Sequence, residues 1–85
     1  MTRILQWTEA DISGLDGLGL SRILTEVSDD GTVMRELGFD VGGNVVHRFP
    51  GEPTRAKYGV FDLAEINRPG DGDIEAADFE LLWTA

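Results

Sequence analysis

Leu20 to Phe49 reads LSRILTEVSDDGTVMRELGFDVGGNVVHRF, and this stretch decides the fold. Three runs of mixed apolar and polar residues, Leu20–Val27, Val33–Phe39 and Val45–Phe49, are separated by Ser28-Asp29-Asp30-Gly31 and by Asp40-Val41-Gly42-Gly43-Asn44. Asp-Gly and Gly-Gly between strand-like runs are strong hairpin signals, because tight turns need residues that accept positive φ. The stretch predicts a three-stranded antiparallel meander over 20–49.

Counting outward from the glycines gives a register. With Asp30-Gly31 as a two-residue turn, Val27 faces Met34, Glu26 faces Arg35 and Leu24 faces Leu37. With Gly42-Gly43 as the second turn, Phe39 faces Val46, Gly38 faces His47 and Glu36 faces Phe49. An opposite-charge pair and an apolar pair both favour this alignment. One face then carries Ile23, Thr25, Val27, Met34, Val45, His47 and Phe49. The other carries Arg22, Leu24, Glu26, Val33, Arg35, Leu37, Phe39, Val46 and Arg48. The first is the more apolar and is expected to be the core face.

Outward from the meander, Ile4, Leu5 and Trp7 predict a strand near 2–7. Thr8 is expected to cap a brief turn through Ala10 and Ile12, with Glu9 and Asp11 at its start. Ser13 to Gly19 is glycine-punctuated and expected to be irregular. It lacks the GxGxxG spacing of a phosphate cradle. On the other side, Pro50-Gly51-Glu52-Pro53-Thr54 is a loop, since prolines do not sit in central strands. Tyr58 to Leu63 predicts a strand near 58–63, and Ala64 to Asp73 is turn-rich. Phe79, Leu82 and Trp83 recur at helical spacing and predict a helix over 76–83. Glu75 is its expected N-cap, with Ile74 stapled on Phe79. So short a helix is stable only when docked. Phe79 and Trp83 are expected to lie on the core face. The expected class is α+β: one domain over 1–85, a small antiparallel sheet with a C-terminal helix packed on one face.

Composition narrows the function classes. The chain of 85 residues has 16 acids against 7 bases, a net charge of −9. That disfavours nucleic acid, whose phosphates require a basic surface. It suits a monomer or a chain that meets a basic protein. There is no cysteine, so neither disulfides nor thiolate zinc sites are available. No segment approaches the roughly 20 apolar residues of a membrane span, and the start has no signal-peptide pattern. A soluble cytoplasmic protein without a cofactor is expected.

Three stretches are candidate sites. Residues 67–78 have the length of a calcium-binding EF-hand loop, with Asn67, Asp71, Asp73 and Asp78 as the available ligands. Pro69 stands where a ligand belongs, so a polar turn before a helix is the plainer reading. The lone histidine, His47, suggests catalysis together with Arg48 and Tyr58. A packed strand histidine, given room by Gly38 opposite, is the plainer reading there. The third candidate is the charge pattern. Residues 1–42 hold eight acids and three bases, and residues 62–85 hold seven acids and one base. Between them Arg48, Arg55 and Lys57 form a basic island against Glu52. Either this loop or the acidic set Glu65, Asp71, Asp73, Glu75, Asp78 and Glu80 is a candidate binding surface.

The order Trp7, Asp29-Asp30-Gly31 with Arg35-Glu36, Gly43-x-Val45-x-His47-Arg48, Tyr58-Gly59-x-Phe61-Asp62, then Ile74 and Phe79-Glu80-x-x-Trp83 resembles a small bacterial domain family of unknown function. The ending from Ile74 to Trp83 is similar to that family's Ile-Ser-x-x-Glu-Phe-Glu-x-x-Trp pattern, with Glu75 in place of the serine cap. The resemblance implies a compact α+β unit and no known catalytic residue. The functional expectation is a non-enzymatic macromolecule-binding domain of inhibitor or immunity type. The alternatives are a calcium-binding module at 67–78 and an enzyme with a site around His47.

Overall fold

The computed structural model describes residues 2–11, 14–53 and 72–84. Four antiparallel strands form one sheet in the order β1-β2-β3-β4. They are β1 Arg3–Thr8, β2 Arg22–Val27, β3 Val33–Phe39 and β4 Val45–Phe49. One helix, α1 Ala76–Thr84, completes the α+β architecture. The expected strand near 58–63 lies outside the described residues. No helix among the described residues is long and apolar enough to cross a membrane.

Both hairpins close through the same device, and it differs from the expected two-residue turn. In the first, the Ser28 amide bonds the Thr32 carbonyl at 2.9 Å and the Gly31 amide bonds the Ser28 carbonyl at 3.0 Å. In the second, the Asp40 amide bonds the Asn44 carbonyl at 3.0 Å and the Gly43 amide bonds the Asp40 carbonyl at 3.0 Å. Gly31 and Gly43 take φ of 90° and 84°, which is why glycine is needed there. Each turn is followed by a bulge. Val27 pairs with Val33, then Glu26 with Arg35, so Met34 is the extra residue. Phe39 pairs with Val45, then Gly38 with His47, so Val46 is extra. The longer turn moves the register by one residue and the bulge moves it back. The interior pairs Glu26–Arg35, Leu24–Leu37, Gly38–His47 and Glu36–Phe49 are therefore the predicted ones. The pairs next to the turns, Val27–Met34 and Phe39–Val46, are not.

The bulges also correct the expected faces. Val33 joins Val27, Leu5 and Trp7, while Met34 is displaced to the surface. Val45 joins Phe39 on the opposite face. The helix docks on that opposite face, the one expected to be the less apolar. Phe79 is buried among Ile4, Leu24, Leu37 and Phe39, with Val45, Ile74, Leu82 and Trp83 around them. The reason is that the charges of this face are used in docking. Arg35 forms a two-pronged pair with Glu26, at 2.8 and 2.7 Å, and also pairs with Glu80 of the helix. Its guanidinium lies 5.0 Å from the Phe79 ring centre and 4.9 Å from that of Trp83. A guanidinium paired on its edge and stacked on its face can be covered with little loss.

The other face is buried too. Leu5, Ile23, Thr25, Val27, Glu36 and His47 are almost wholly shielded. Leu20, from the connection between β1 and β2, packs against Gly38, which also lies beside His47. That connection holds a short 3₁₀ helix, Asp16–Leu18, inside the stretch expected to be irregular. The expected Thr8 cap is reversed. The Asp11 carboxylate accepts from the Thr8 amide at 2.9 Å, whereas the expected cap had the Thr8 hydroxyl accepting from the amides after it.

Candidate functional site

The approach to α1 runs along β1, an end strand of the sheet among the described residues. Gly72 has φ of 111°, and a Cβ on it would lie 3.1 Å from the Ile4 carbonyl oxygen, so only glycine lets the chain run this close. The Asp73 amide then donates to the Ile4 carbonyl at 2.7 Å. The Asp73 carboxylate accepts from the Gln6 amide at 2.9 Å. Ile74 makes an isolated antiparallel bridge with Ile4. One aspartate thus satisfies two edge groups of β1 that would otherwise be open to another strand. The Glu75 carbonyl accepts from the Asp78 and Phe79 amides, so Glu75 occupies the expected N-cap position.

This junction lines a cleft of about 640 Å³ whose walls include Arg3, Ile4, Asp73, Glu75 and Asp78. Three of the predicted acidic residues, Asp73, Glu75 and Asp78, meet there. Glu75 and Asp78 are exposed at the N-terminal end of the helix, where negative charge is favoured. Glu80, also in the predicted acidic set, is instead drawn to Arg35, whose guanidinium holds its carboxyl below the usual carboxylate range. Arg55, Lys57, Glu65, Asn67 and Asp71 lie outside the described residues, as does Tyr58.

Arg48 is not displayed as a basic contact. It is half-buried, 5.6 Å from the Trp83 ring centre, and its Nη1 donates to the Glu52 carbonyl at 2.9 Å. For calcium, several oxygens must converge. Among the described residues no cluster of three or more histidine or carboxylate side chains is placed to hold a metal. The Asp73 carboxylate is engaged by Gln6.

The enzyme constellation is divided by the sheet. His47 and Arg48 are consecutive strand residues and point to opposite faces. Arg48 lies with Trp83 under the helix, and His47 lies beyond the sheet with no exposed side-chain surface. There His47 Nε2 meets Glu36 Oε1 at 3.0 Å. Glu36 is the partner that sequence reasoning missed. The signal was present: in the predicted register Glu36 is two residues from Gly38, hence diagonal to His47 on the same face. Beside this pair, Trp7 Nε1 donates to Thr25 Oγ1 at 2.9 Å. Thr25 itself pairs with Glu36 across the strands. A polar row therefore crosses this buried face. Each pair gives its members a hydrogen bond on this face, as buried polar groups require.

No family model, curated protein or solved structure matches the chain.

Proposed function

We propose that the protein is a non-enzymatic binding domain whose acidic surface engages a basic protein, in the manner of an inhibitor or immunity-type domain. One observation carries this reading. Arg22, Arg35 and Arg48 are each laid over an aromatic ring, whereas Asp16, Asp29, Glu75 and Asp78 face solvent. The fold takes these three cations inward and leaves carboxylates outside, on a chain of net charge −9. Such a surface attracts a cationic partner over a distance and repels phosphates and anionic lipid.

The test is affinity capture on the immobilised chain at about 0.1 M and about 1 M salt, which shortens electrostatic screening from roughly 10 Å to roughly 3 Å. A basic protein should be retained at the lower salt and released at the higher. Capture of no basic protein, or retention indifferent to salt, refutes the reading. A gene for a basic nuclease or toxin beside this one would name the first partner to try.

A further inference from the structure

We propose that the end of the sheet opposite the acidic cleft is the docking surface for that basic protein. Its contact is an apolar segment flanked by lysine or arginine, gripped through Val41 and the groove beside it. This rests on the reading above and assigns it a surface. The described parts of the β1–β2 connection, 9–11 and 14–21, and the turn 40–44 meet at this end, since β1 and β3 both finish here. Between them lies a groove of about 420 Å³ with largely apolar walls, lined by Glu9, Asp16, Gly19, Leu20, Ser21, Asp40 and Val41. Val41 stands at its rim with 96% of its surface exposed.

A lone exposed valine is ordinary on any protein. Here it adjoins a hollow floored by Leu20, so a projecting apolar knob and an apolar groove form one patch. Nothing in the turn calls for valine at this position. The turn geometry is fixed by Gly43 and by the Asp40 carboxylate, which accepts from the Gly42 and Asn44 amides at 3.0 and 2.9 Å.

The occupant follows from shape and charge. A small molecule could fill the groove but could not also cover the knob, so the ligand is a polypeptide segment long enough to reach both. A second copy of this chain would bring Glu9, Asp16 and Asp40 against themselves, and like charges opposed across an interface repel. An apolar side chain between cations satisfies both the groove and its rim. The rim is also pre-set. The Glu9 carboxylate accepts from the Gly14 and Asp16 amides at 2.9 and 3.2 Å, and the Ser21 hydroxyl donates to the Asp40 carbonyl at 2.9 Å. Groups already fixed lose little freedom when a partner arrives.

Two five-residue peptides probe the surface, one of lysines with a central leucine and one of lysines only, each titrated into the labelled protein and followed by amide shifts at low salt. The leucine peptide should shift Ser21, Asp40, Val41 and Gly42 and bind at least about fivefold more tightly than the lysine peptide, as partial burial of one apolar side chain implies. Val41→Ser, at a fully exposed position, should remove most of that difference without changing the unfolding midpoint. If both peptides bind equally and shift only residues around Glu75 and Asp78, the docking surface is wrong and the acidic-binding reading stands. If neither peptide binds, both are wrong.

Discussion

Replacing Gly38 by alanine should loosen the sheet at its most crowded point. A Cβ on Gly38 would fall 2.6 Å from Leu20 Cδ2 and 2.8 Å from His47 Cβ. The leucine methyl is the end of a flexible side chain and can swing aside. The histidine Cβ is fixed to the β4 backbone, and carbon atoms in contact normally sit about 3.5–4.0 Å apart. Relief therefore requires β3 and β4 to part, or His47 to shift away from Glu36. Overpacking of this kind costs about 1–3 kcal/mol. Against it stands the gain of roughly 0.5–1 kcal/mol from stiffening the unfolded chain when glycine becomes alanine. The expected net loss is about 1–2 kcal/mol. In urea, where small domains have slopes of about 1–3 kcal/mol/M, the midpoint should fall by roughly 0.3–2 M. The double variant with Leu20→Ala isolates the cause. Leu20→Ala alone should cost about 2–5 kcal/mol as a core truncation. Together the two should cost less than their sum, because one of the two contacts has been removed. A Gly38→Ala variant as stable as the parent would refute the close approach; strictly additive losses would place its whole cost on His47.

Arg35→Ala should destabilise by about 2–3 kcal/mol, since it strands a half-buried Glu26 and uncovers Phe79 and Trp83. Glu80→Gln, at the exposed end of the same contact, should lower the midpoint far less than Arg35→Ala in the same denaturation assay. Asp73→Ala should speed hydrogen exchange at the Gln6 amide at least about tenfold while amides in the middle of β2 and β3 keep their protection, because only the edge bond is lost. Stability should fall in acid, between the ordinary carboxylate range and about pH 2. The Ser28 and Thr32 hydroxyls and the Thr32 amide lower Asp30 from 3.8 to about 2, and Asn44 and Arg35 lower Asp40 and Glu80 respectively. For depressed carboxyls the stabilisation is complete above the unfolded value and is lost as pH drops through the folded one. Urea midpoints at several acid pH values should show this slope, and Asp30→Asn should flatten it.

Local rules carried far in this chain. The glycines at 31 and 43 located both hairpins, and charge and hydropathy opposite one another aligned their interiors. The spacing of Phe79, Leu82 and Trp83 located the helix. The acidic approach to that helix was also legible, since Asp73, Glu75 and Asp78 are neighbours in the chain and meet at one cleft. These signals survive because a turn, a strand pair and a helical stripe each depend on residues a few positions apart.

What needed the tertiary structure was anything settled between distant segments. A count of apolar residues assigned the helix to the wrong face. It counted Glu26, Arg35 and Arg48 against the face the helix covers, although Glu80, Phe79 and Trp83 of the helix turn them into a docking surface. The bulges at Met34 and Val46 exchanged residues between faces without disturbing the central register. The separation of His47 from Arg48, and the union of His47 with Glu36, follow from strand alternation and only become a buried site once both faces are covered. The knob at Val41 and its groove are likewise a meeting of two loops some twenty residues apart. Sequence by itself determined the strands of the meander, their interior pairing and the helix, because those energies are local. Burial decided which side chains are structure and which are surface, because it is a property of the whole fold.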